Sequence, residues 1–85
     1  MTPQQAIQTR YRPDLKPKSL YPAFHGAAAD LANATGKDYA DCVGEVFSLL
    51  ARFADCRVNS DALGVRLRAM HEDGTLLEKL TVLCT

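Results

Sequence analysis

Residues 38–56, DYADCVGEVFSLLARFADC, decide how this chain folds. Their polar positions, Asp38, Asp41, Glu45, Ser48, Arg52 and Asp55, recur at alternating intervals of three and four. Almost everything between them is small or apolar: Tyr39, Ala40, Cys42, Val43, Val46, Phe47, Leu49, Leu50, Ala51, Phe53, Ala54 and Cys56. At ~3.6 residues per turn this spacing lines the polar groups up as one narrow wet stripe on an otherwise apolar helix. Such a helix must be enclosed. The reading is therefore an all-α fold, a small bundle of about four helices around a central buried helix at about residues 38–57.

Asp38 is placed to cap that helix, and Asp41 sits one turn on, at the positive end of the helix dipole. Gly44 lies in its interior, where glycine costs about 1 kcal/mol relative to alanine. That cost predicts a close approach by another helix. The alanines of the preceding segment are the expected visitors.

Outward from this pillar, a helix is predicted from Ser19–Pro22, with Ser19 as cap and Pro22 in the first turn. Phe24, Ala27, Ala28, Leu31 and Ala32 give its inner face, and Gly36 stops it in a left-handed conformation. On the other side a helix starts from an Asn59 or Ser60 cap. Leu63, Leu67 and Met70 form its inner face, Arg68 and Glu72 pair on the outer one, and Gly74 closes it. Thr75-Leu-Leu-Glu78 is a capping-box pattern opening a last short helix with Leu76, Leu77, Leu80, Leu83 and Cys84. Residues 80–85 also alternate as a half-buried strand would, so helix and strand both remain open there.

Residues 1–18 hold Pro3, Pro13 and Pro17, each of which disfavours helix in the residue before it. They are read as an extended arm, with room for one helical turn at Pro3 to Thr9. The chain is then one domain over residues 1–85, an arm at 1–18 and a bundle at 19–85. The arm is basic: Arg10, Arg12, Lys16 and Lys18 face only Asp14 within residues 1–25, although the whole chain has ten basic and ten acidic residues. Opposite charges attract over roughly 10 Å in physiological salt, so this arm is expected either to strap its own body or to hook a partner.

A net charge of zero excludes both a strongly acidic nucleic-acid mimic and a histone-like polycation. With no apolar run near the ~20 residues of a membrane span and no signal-peptide core at the start, no membrane association and a cytoplasmic location are expected. Cys42, Cys56 and Cys84 are odd in number and form no C-x-x-C, which suits reduced thiols used as small hydrophobes.

Chemistry-bearing patterns are weak. His25, His71 and the cysteines lack zinc-loop spacing, so no metal site is predicted. A reactive Cys42 near a helix start is opposed by Asp38 and Asp41, whose charge would raise its pKa. The segment order around Gly74 resembles a helix-turn-helix, but Glu78, Lys79 and a block of leucines are not residues that read base edges. No catalytic residues and no cofactor are predicted.

What remains is association. A large apolar inventory on 85 residues, with arginines and tyrosines interleaved at the N-terminus, predicts a non-enzymatic protein-interaction module. Its expected role is that of a small regulator or inhibitor, of the phage or plasmid type that acts on host or defence machinery, binding a larger macromolecule and able to homodimerise. The expected partner-binding residues are Arg10, Tyr11, Arg12, Lys16, Lys18 and Tyr21. The alternative is a nucleic-acid-binding regulator that places residues 10–18 on phosphates.

Overall fold

The structure, a computed structural model, describes residues 1–58 and 60–82. Among these residues five α-helices follow one another, α1 (Pro3–Arg10), α2 (Leu20–Thr35), α3 (Tyr39–Ala54), α4 (Asp61–Asp73) and α5 (Thr75–Thr81), with a 3-10 turn at Pro17–Ser19 before α2. There is no strand among the described residues. The all-α bundle expected from the 38–56 pattern is thus what the chain forms. The strand alternative for residues 80–85 fails at Leu80 and Thr81, which end α5, and for residues 83–85 it lies outside the described residues. So do Asn59, Leu83 and Cys84.

The reading of residues 1–18 as an extended arm is corrected at residues 3–10, which form α1. Thr2 caps this helix: its Oγ1 accepts the Gln5 amide, Gln5 Oε1 accepts the Thr2 amide, and Pro3 stands in the first turn. Proline there loses nothing, because that amide has no acceptor inside the helix, and its fixed φ favours helical backbone. Pro3 starts a helix rather than breaking one. Gln4, Ala6 and Ile7 are buried, and Tyr11, one turn beyond Ile7, is only 4 % exposed. α1 packs on α2, α3 and α5, and so supplies part of the core.

α2 buries Leu20, Phe24, Ala27, Ala28 and Leu31, nearly the face read from the sequence, and ends at Gly36 with φ 74° as expected. Its small residues admit α1 at Gly26, where a Cβ would lie 3.2 Å from the Arg10 guanidinium on its way to Asp30. α4 buries Leu63, Leu67 and His71 and likewise ends at a left-handed glycine, Gly74 with φ 83°. Arg68 and Glu72 are exposed and make no ion pair among the described residues. The capping box expected at Thr75 is replaced by Asp73, whose Oδ1 accepts the Thr75 amide at 2.8 Å. The Thr75 hydroxyl, and after it that amide bond, hold the Asp73 carboxyl below the usual carboxylate range.

α3 is flanked by α1, α2 and α4 and buries Cys42, Val46, Leu50, Ala51 and Ala54. Its wet side is broader than one row of polar residues: Ala40, Asp41, Gly44, Ser48 and Arg52 are all exposed. The expected packing of alanines over Gly44 is absent, since a Cβ built there meets nothing within 4 Å. α3 closes with Asp55 in the left-handed region at φ 53°, tolerable for a short polar side chain, and Arg66 caps the free Ala54 carbonyl at 3.0 Å.

Because Ile7 is fully buried, Ile7→Ala is expected to destabilise the fold by about 2–5 kcal/mol, read from the midpoint of urea unfolding. A solvated arm would leave that midpoint unchanged.

Candidate functional site

The residues expected to hold a partner separate into three environments. Tyr11 points inward. Its hydroxyl meets His71 Nδ1 at 2.5 Å, and His71 Nε2 meets the Leu15 carbonyl at the same distance. A carbonyl only accepts, so Nε2 carries the proton, leaving Nδ1 to accept from the Tyr11 hydroxyl. His71 from α4 therefore ties down the linker between α1 and α2 at two points. Tyr11 is part of the core, and an exposed contact role for it is corrected by this burial.

Arg10 is occupied too. Its Nε donates to Asp30 Oδ2 at 2.7 Å and its Nη2 to Asp30 Oδ1 at 2.9 Å, a bidentate pair. The guanidinium holds the Asp30 carboxyl below its ordinary range, and the arginine is raised in turn. Both groups are open to solvent, so the pair adds little to stability. Its main effect is to lay Arg10 along α2. Arg12, Lys16 and Lys18 are exposed on the linker, with no ion pair among the described residues.

Tyr21 is the anchor that remains, and it does not stand alone. It is 44 % exposed, yet its ring stacks on Phe47 of α3 with centroids 5.7 Å apart and planes inclined by 25°. Phe24 meets both rings edge-on. One turn along α2, His25 tilts against Phe47 at 5.3 Å, and its Nδ1 lies 3.2 Å from the hydroxyl of Tyr39, itself 46 % exposed. Tyr39, Val43 and Phe47 follow at intervals of four on α3, opposite Tyr21 and His25 at the same interval on α2. The two helices thus build one aromatic ledge at the surface.

Gly64 of α4 keeps this ledge in shape. A Cβ there would lie 2.7 Å from the Tyr21 hydroxyl, so the glycine gives the ring its seat. Tyr21 is held between Phe47 and α4. His25, Tyr39, Phe47 and Gly64 were not among the sequence-predicted site residues. The interval of four shared by Tyr39 and Phe47 and by Tyr21 and His25 was the available signal, but only the pairing of α2 with α3 joins the two rows.

A second surface feature lies across α3, an open groove of about 1300 Å³ between α1 and α3 with Lys79 at its edge. Compared with known protein families, curated proteins and solved structures, the chain matches none.

Burial pushes the Tyr11 phenol above its usual value near 10. The unfolded chain then loses this proton first, so stability is full below pH ~10 and falls as the pH climbs toward the folded-state value. Removing the hydroxyl leaves His71 Nδ1 buried without a donor, so Tyr11→Phe is expected to cost about 1–3 kcal/mol in urea unfolding and to flatten that alkaline loss. Unaltered stability at neutral pH and unaltered pH dependence in the variant would show that the bond contributes nothing.

Proposed function

We propose that this chain is a non-enzymatic interaction module, a small regulator or inhibitor that docks its aromatic ledge into an apolar depression on a larger protein. The observation that carries the reading is the ledge itself: Tyr21 and Tyr39 are large, exposed and held by stacking and hydrogen bonding. Rigid amphipathic rings of this kind dominate binding energy where they fill a desolvated pocket. Lys16 and Lys18, exposed just before Tyr21, favour a partner whose pocket is rimmed by carboxylates. A cytoplasmic setting belongs to the same proposal, supported by free Cys42 and Cys56. So does the comparison by type with phage or plasmid inhibitors of host or defence machinery.

One specific observation favours the alternative, a nucleic-acid-binding regulator: Arg12, Lys16 and Lys18 are exposed on one linker without an ion pair among the described residues, although Arg12 Nη1 donates to the Tyr11 carbonyl. That reading predicts binding that weakens steeply with salt, by a slope of about 0.9 per phosphate neutralised on duplex DNA. Arg10, engaged with Asp30, contributes less to it than the sequence suggested.

The test is affinity capture from the native host with wild-type chain and with Tyr21→Ala, Tyr39→Ala and Gly64→Ala, quantified by mass spectrometry. A protein held by the wild type is expected to be lost with both tyrosine variants and reduced by Gly64→Ala, which displaces only the Tyr21 hydroxyl. Capture at the same yield by all three variants, each folded by circular dichroism, would overturn the ledge as the docking surface.

A further inference from the structure

We infer that the groove between α1 and α3 is where a second copy of this chain binds, with the two α3 helices lying antiparallel across a two-fold axis. This surface lies on the side of α3 away from Tyr39, Val43 and Phe47, so it goes beyond the partner reading and stands or falls independently of it.

Charge determines the occupant. Asp41 and Arg52 line the groove near opposite ends of α3, three turns or ~16 Å apart, and neither has an ion-pair partner among the described residues. A two-fold antiparallel match sets Asp41 of each copy against Arg52 of the other, so one surface carries both halves of two ion pairs. A parallel match would set like against like. The net charge of zero leaves no long-range repulsion between copies.

Shape agrees with charge. Ala40, Gly44 and Ser48 recur every four residues along the groove, and the space over Gly44 is empty to 4 Å. An exposed glycine inside a helix costs about 1 kcal/mol, and no neighbour within the single chain uses the room it leaves. A second helix laid over this face uses it for close backbone approach.

Sedimentation equilibrium on wild type, Asp41→Lys, Arg52→Glu and Gly44→Gln tests the assignment. Wild type is expected to dimerise. Each charge variant sets like charges against each other at two places and should weaken the dimer by at least about tenfold, whereas an equimolar mixture of the two restores both opposite-charge pairs and recovers it. Recovery on mixing cannot come from misfolded chains. Gly44→Gln adds bulk where the single chain has open space, so it should keep the helical circular dichroism spectrum and abolish the dimer. A wild-type chain that stays monomeric at its highest attainable concentration overturns the inference. So does a dimer that ignores all three variants, or one that dissociates on Tyr39→Ala instead.

Discussion

One buried imidazole organises the N-terminal third of this fold. His71 on α4 donates through Nε2 to the Leu15 carbonyl and accepts the Tyr11 hydroxyl at Nδ1, joining α4 to a segment that lies at least 56 residues upstream. Both bonds run through groups that would be costly to bury unpaired, so the three parts are satisfied together or exposed together. With the linker fixed at both points, α1 is set down on α2, and its Gln4 and Gln8 amides reach the last carbonyls of α5, Leu80 and Val82. Those carbonyls have no acceptor role inside their own helix, so the glutamines complete α5 while α5 fixes α1. The N-terminus and the end of the described chain are thereby closed on one another around a core that includes Ile7, Phe24, Val46, Leu67 and Leu76.

With α1 accounted for in this way, α3 is left with two surfaces of different character. Toward α2 it offers Tyr39, Val43 and Phe47 as the back of an aromatic ledge. Toward α1 it offers small residues between opposite charges at the floor of a groove. The first is a stacked, amphipathic row of rings and carries the proposed partner contact. The second is self-complementary. Eighty-five residues enclose limited surface, and a chain of this size is completed readily by association.

Features written in neighbouring residues were legible. The inner face of α2, the left-handed stops at Gly36 and Gly74, and the polar stripe of α3 follow from spacing within one helix, although Tyr39, Ala40 and Gly44 widen the exposed side of α3 beyond that stripe. Features written across the chain were not. Residues 1–18 read as an extended arm with room for only one turn from Pro3 to Thr9, until Thr2 and Gln5 are recognised as a capping box that makes Pro3 the start of a full helix. Tyr11 looks like an interface residue by type, yet Gln4, Ile7 and Tyr11 share one inward face, and the partner that satisfies its hydroxyl is far along the sequence. Gly44 suggested a close neighbour because an interior glycine is costly, but whether a helix of the same chain covers it is set by tertiary packing, and none does. Thr75 lost its capping role to Asp73, two residues upstream, whose carboxylate reaches the same amide first. The ledge was half visible, as two rows of aromatic spacing whose juxtaposition depends on α2 lying against α3.

The central claim is that α1 is an integral part of the fold, locked by His71 and by the α5 carbonyls. Amide hydrogen exchange measured residue by residue tests it most directly, because the amides of Ile7, Gln8 and Tyr11 can exchange only by unfolding if α1 belongs to the core. They are predicted to show the same opening free energy as the amides of Leu31 and Leu50. Exchange at Ile7 and Tyr11 by a separate, lower-energy opening, with α2 and α3 still protected, would contradict it.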